Sequence, residues 1–163
     1  MSSYLALAVS VGVLAVVATW LFFLDPVAAQ HLQVWTAFIA WGCHYHSGGK
    51  LTGTTKTIVC MSFGAVVGMT AGILATRALA SLGQFAAPVA VGLGATVICL
   101  ASKVPLLATI PASVYGFASI AGLFLLGTGM SPTRALVPTI LSIVIGAAFG
   151  YVSEGLAGRL AKR

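Results

Sequence analysis

Residues 5–24 form an unbroken apolar run with no charged side chain. A helix of that length crosses the hydrocarbon core of a bilayer, which needs ~20 predominantly apolar residues. The pattern recurs down the chain at about residues 32–43, 57–76, 85–102, 104–126 and 136–153, with single basic residues or short polar stretches between. The second stretch reaches span length only when extended to residues 30–47, which brings His44, Tyr45 and His46 into its end. Six short-looped spans in 163 residues leave no room for a separate soluble domain. The expected fold is therefore all-α: a polytopic membrane protein with one membrane domain over residues 1–163. The first run lacks a basic leader and is too long for a signal-peptide core, so it is expected to stay as the first span.

Composition agrees. Charged residues make up 6% of the chain and hydrophobic ones 60%, against ~25% charged in an average soluble domain. Two acids and eight bases cannot cover a globule with polar groups. The net charge of +6 does not read as a nucleic-acid footprint, because the bases are scattered singly between apolar runs. Hydrolytic acid–base chemistry has almost nothing to use, and no P-loop, HExxH or GxSxG pattern occurs, so the chain is not expected to be an enzyme. Cys43, Cys60 and Cys99 are odd in number and sit in apolar segments, as small buried thiols do.

Charge also orients the spans. With six, Lys50, Lys56, Lys103, Arg159, Lys162 and Arg163 share one side with both termini, and Arg77 and Arg134 fall on the other. The richer side is cytoplasmic by the positive-inside rule. An internal repeat points the same way. Laid on residues 133–160 with an offset of 78, residues 55–82 match at six of 28 positions, among them Gly68 with Gly146 and Gly72 with Gly150. The halves, about 1–82 and 83–163, would each hold three spans. An odd number of spans inverts the second half relative to the first.

Three stretches could carry function. Gly64, Gly68 and Gly72 stand at i, i+4 and i+8 in the third run, and Gly146 and Gly150 repeat the spacing in the sixth. Such stripes let helix backbones approach closely, where packing replaces the hydrophobic drive that lipid removes. In the fifth run Pro111 lacks an N–H and is expected to break the helix at membrane depth, with the hydroxyls of Thr109, Ser113 and Tyr115 nearby. Trp41 through His46 close the second run. Cys43 and His46 could share a helix face, but no carboxylate or second cluster joins them, so no metal and no cofactor is expected. His44 and His46 read as interfacial or mouth-lining residues, with Tyr45 in the headgroup belt.

No Asp, Glu, Lys or Arg sits at the middle of a run; Asp25 and Glu154 are at ends. Pumps and proton-coupled carriers ordinarily mark their pathways with such residues. The expected function is a passive channel or facilitator for a small neutral or polar solute of the urea, ammonia or short-amide class. Its path would pass Thr109, Pro111, Ser113 and Tyr115, with Trp41, His44 and His46 at a mouth. The expected partners are the lipid bilayer, that solute and further copies of the chain, with no nucleic acid. The alternative is a structural or regulatory membrane subunit that packs against a partner through its glycine faces.

Residues 35–43 with Gly48-Gly49, then residues 107–119 around Ile110-Pro111-Ala112, then Val137-Pro138 through Gly146 to Gly150-Tyr151, resemble the landmark stretches of the YcdZ-like family of bacterial inner-membrane proteins. The resemblance implies an inner-membrane location and names no activity. More loosely, the Thr109-Ile110-Pro111 segment is similar to the pore-helix segments of bacterial urea transporters.

Overall fold

A computed structural model describes residues 1–28, 30–125 and 129–161. Those residues are mostly helical, with no strand among them. The helices are α1 (Ser3–Phe23), α2 (Asp25–Ala28), α3 (Val34–His46), α4 (Lys50–Thr76), α5 (Ala86–Ala101), α6 (Ile110–Leu125) and α7 (Pro132–Ala161). Short 3₁₀ turns at Ala80–Phe85 and Pro105–Leu107 precede α5 and α6.

Local chemistry sets the ends. Ser2 Oγ accepts from the N–H of Leu5 at 3.3 Å and starts α1. The helix stops at extended Leu24, and Pro26 sits in the first turn of α2, where its missing N–H costs nothing. Ser47, Gly48 and Gly49 reverse the chain between α3 and α4. Gly48 and Gly49 have φ of +102° and +65°, which side chains other than glycine rarely accept. Ser131 Oγ accepts from the N–H of Arg134 at 3.4 Å at the start of α7, and Pro132 occupies its first position.

Four segments are long and apolar enough to cross a membrane: Ser3–Phe23, Lys50–Thr76, Ala80–Ala101, which joins the 3₁₀ turn to the 16-residue α5, and Pro132–Ala161. The second and fifth apolar runs do not yield full-length spans. α3 has 13 residues and α6 has 16, so at 1.5 Å per residue they extend only ~20 and ~24 Å. The expected helix break at Pro111 also lies elsewhere. The chain is irregular at Ala108 and Thr109, and Pro111 is the second residue of α6, where proline fits a helix start. The expected end of that run, Leu126, lies outside the described residues, as do Lys162 and Arg163. Pro138, expected near the start of a span, stands inside the longer α7.

The packing is built around α4 and α7. α4 packs closely with α6, and α7 with α3. Both pairs run parallel. Gly64 of α4 lies against Ser113 of α6, and Gly72 against Phe124. Gln33, just before α3, meets Thr139 of α7, and His44 at the end of α3 meets Glu154. α4 and α7 run antiparallel, since Gly49 and Lys50 meet Glu154 at one end and Gly72 meets Pro132 at the other. α1 packs on α7 and α5 on α4, on the flanks. The buried core includes Ala40, Cys43, Cys60, Met61, Ala65, Ala112, Ile120 and Ile143. The outer sides of α1 and α5 expose Val13, Val16, Trp20, Leu93, Val97 and Leu100, as a lipid-facing surface does. In chain order α1, the single turn of α2, the short α3 and the long α4 are followed by α5, a single 3₁₀ turn, α6 of the same 16-residue length as α5, and the long α7.

Candidate functional site

The polar side chains of this apolar bundle gather in three places. The first is the amino end of α3. The N–H of Gln33 donates to Ser142 Oγ at 2.8 Å, and its Nε2 donates to Thr139 Oγ1 at 3.0 Å. Its Oε1 accepts from Thr36 Oγ1 at 2.7 Å. Thr139 and Ser142 pass their own protons to the carbonyls of Ala135 and Pro138, both at 2.8 Å. All four residues are buried, and each of these hydroxyls and both atoms of the Gln33 amide have a partner. Leaving such groups unpaired in a low-dielectric interior would cost roughly 1–3 kcal/mol each.

The second lies at the amino end of α6 and is treated differently. Cys60 Sγ donates to the carbonyl of Leu106 at 3.4 Å and lies within hydrogen-bonding reach of the N–H and hydroxyl of Thr109. Thr57 is one turn earlier on the same face of α4. Its hydroxyl is fully buried and has no partner, and the hydroxyls of Ser113 and Ser119 on α6 are in the same condition. Beside α6, against α3, lies a cavity of about 320 Å³ lined by Ile39, Gly42, Cys43, His46, Tyr115 and Ala118. The rings of His46 and Tyr115 meet edge to face across it, 6.3 Å apart.

The third is at the carboxyl end of α3. His44 is fully buried. Its Nε2 donates to Glu154 Oε2 at 3.0 Å, and its Nδ1 is 3.1 Å from Thr54 Oγ1. The same Glu154 oxygen accepts from the N–H of Lys50 at 2.6 Å. A carboxylate from α7 therefore caps the amino end of α4, where orphan N–H groups and the helix dipole favour negative charge. Beside it, Trp41 Nε1 and the Tyr45 hydroxyl both donate to Ser153 Oγ, at 2.9 and 2.7 Å, and Ser153 donates to the carbonyl of Gly150. Trp41 is also stacked between Phe38 and Phe149.

The residues singled out from sequence thus fall into separate places. Thr109 lies beside Cys60 at the start of α6, Ser113 lies against Gly64, Pro111 is exposed, and Tyr115 faces His46. Trp41 and His44 are taken up by partners on α7. The glycines lie at helix contacts inside the chain. A Cβ at Gly64 would run into the carbonyl of Ser113, and one at Gly146 into that of Ala37. One at Gly68 would meet Ile120 at 2.6 Å, at Gly72 Pro132 at 2.9 Å, and at Gly150 His44 at 2.7 Å. Gly116 on α6 answers with the same close approach to Met61. Sequence reading passed over Gln33, Thr57, Ser119, Thr139 and Ser142. Single small polar residues carry no spacing signal inside apolar runs. Glu154 was placed at a span end, which hid its partnership with a buried histidine 110 positions away. Among the described residues no group of three or more metal-ligating side chains occurs.

This fold of apolar helices, four of them of membrane-spanning length, belongs to a membrane protein. A family model described as "Protein of unknown function (DUF1097)" matches residues 8–158, and the chain belongs to that family. No curated protein and no solved structure matches the chain. The family match agrees with an uncharacterised family; no finding carries the likeness to the YcdZ-like proteins by name or to urea-transporter pore segments.

Proposed function

We propose that the chain is a passive facilitator for a small neutral or weakly polar solute, built as two inverted halves. The contacts at corresponding positions support the halves. Gly64 is the fifteenth residue of α4 and abuts the fourth residue of α6; Gly146 is the fifteenth residue of α7 and abuts the fourth of α3. On this correspondence the long helices are offset by 82 positions rather than 78, one turn away, so Gly64 answers to Gly146 and Gly68 to Gly150. The antiparallel course of α4 and α7 makes the relation an inversion, as in many transporters. In a six-crossing topology α3 and α6 would be the short crossings, entering from opposite sides.

The observation that carries the solute reading is a difference between the halves. Thr139 and Thr57 are both the eighth residue of their helices. Thr139 is satisfied by Gln33, whereas Thr57, with Ser113 and Ser119 on α6, has a buried hydroxyl with no protein partner. A passing urea-like molecule, ammonia or a short amide supplies the missing hydrogen bonds without the desolvation cost an ion would pay. The cavity between α3 and α6 is lined by Tyr115 and Ala118 of the helix that carries Ser113 and Ser119, though not by the three hydroxyls themselves. The test is solute entry into vesicles of bacterial-type phospholipid containing the purified protein. Entry faster than into empty vesicles, slowed by Thr57→Val, supports the reading; entry at the empty-vesicle rate for every solute refutes it.

A packing subunit is the second reading. The separateness of the apolar cavities favours it: the space between α4, α5 and α6, about 320 Å³, is lined by Gly68, Ala71, Phe117 and Phe124 and shares no lining residue with the α3–α6 cavity. Further copies of the chain would then meet over the apolar outer faces of α1 and α5, because the glycine faces are already used inside the chain. A bacterial inner-membrane location with both termini in the cytoplasm fits either reading.

A further inference from the structure

We propose that His44, Glu154 and Thr54 form a proton-binding site that latches the α3–α4 turn to the end of α7 and loosens when His44 gives up its proton. The inference is independent of whether the chain passes a solute. It follows from counting hydrogens. A carboxylate can only accept, so His44 Nε2 carries the hydrogen of its 3.0 Å contact with Glu154. Thr54 has one hydroxyl hydrogen, and its Oγ1 is placed to donate to the carbonyl of Lys50 at 2.9 Å. While that bond is made, the 3.1 Å contact between Thr54 Oγ1 and His44 Nδ1 needs its hydrogen from the ring. Both ring nitrogens then donate, which only imidazolium does.

Removing one proton changes the set. Nε2 keeps its hydrogen and its bond to Glu154. Nδ1 becomes an acceptor, so the Thr54 hydroxyl turns to donate to it and abandons the Lys50 carbonyl. One hydrogen bond is lost at the first turn of α4, and the Glu154 carboxylate loses the opposite charge beside it. The proton released is the one on Nδ1, which faces Thr54: His44 is sealed from water, whereas Thr54 is half-exposed and can hand a proton on. The other titratable groups around His44 are Lys50 of α4, whose N–H also binds Glu154, and Tyr45 of its own helix, in edge contact at 5.2 Å. Tyr115 of α6 meets His46 instead.

The site has little slack to absorb the change. Gly49, at φ +65°, has Glu154 where a Cβ would stand, and a Cβ on Gly150 would strike the His44 ring. Movement is therefore expected at the turn of Ser47 to Gly49, where the backbone already uses left-handed conformations.

The test is ¹⁵N NMR of the full-length protein labelled at histidine, from about pH 5 to about pH 9, the range in which histidine changes charge. His31, His44 and His46 are assigned by single substitution to Gln. The site predicts that His44 has both nitrogens protonated at the acid end and only Nε2 protonated at the alkaline end. Thr54→Val, which leaves His44 and Glu154 in place, should cut the protonated fraction several-fold at any pH within the transition. A His44 signal in one unchanging form across the range overturns the proposal, as does a Thr54→Val titration that superposes on wild type.

Discussion

Thr139 Oγ1 accepts a hydrogen bond from Gln33 Nε2 at 3.0 Å, tying the start of α3 to the second turn of α7. The joint predicts a difference in sign between two matched substitutions. Thr139→Val strands the Gln33 amide in a buried site and should lower stability by ~1–3 kcal/mol. Thr57→Val removes a hydroxyl that has no partner and should leave stability unchanged or raise it. Thermal unfolding of the two variants in detergent, followed by circular dichroism, reads the comparison. Equal losses would mean that Thr57 is satisfied in the native protein.

The glycine contacts predict a position-specific cost. Gly64→Ala and Gly146→Ala each drive a methyl into a backbone carbonyl that cannot turn aside. Each should destabilise by ~1–3 kcal/mol, the range for overpacking a well-packed site. Gly12→Ala and Gly92→Ala meet nothing within 4 Å and should be neutral or slightly stabilising, since alanine is the better helix former. The midpoint of unfolding in a mild detergent, compared across the four, is the check; a uniform response would remove the close-packing account.

The six-crossing topology predicts opposite accessibility at two loops. In a chain cleared of Cys43, Cys60 and Cys99, a cysteine introduced at Arg77 should react with an impermeant thiol reagent applied to whole cells. One introduced at Lys103 should react only after the membrane is opened. Equal labelling at both would place the 77–103 segment on one side and exclude six crossings.

The membrane class was legible because a shortage of charge is a property of the whole chain and survives any local misreading. The long helices were legible for a related reason: apolar length is written directly in the sequence. The short ones were not. Residues 32–43 and 104–126 are as apolar as a span, and nothing in their composition records that the chain starts each helix late. Pro111 was visible as a punctuation mark, but a proline signals a helix start and a helix break with the same letter. The glycine spacing was readable, whereas an i, i+4 stripe matches itself when slid by one turn, so the spacing alone does not fix the register of the proposed repeat. Ser113 looked like a free wall of a passage from its hydroxyl alone. In the fold its carbonyl lies against Gly64, so enlarging it to Phe would disrupt the bundle before it blocked anything. The Glu154–His44 pair depends on two residues far apart in sequence, and no local pattern announces it.

The central claim is that buried hydroxyls without protein partners are waypoints for a small polar solute. It is tested most directly by one measurement on one pair of proteins: stopped-flow light scattering of vesicles carrying wild type or Thr57→Val, with urea, formamide and acetamide as osmolytes. If the hydroxyls serve that role, wild-type vesicles reswell faster than empty ones with at least one of these solutes. Thr57→Val then slows that phase several-fold although the variant is at least as stable as wild type. Wild-type vesicles that reswell no faster than empty ones, or a Thr57→Val trace that overlays a fast wild-type trace, would contradict it.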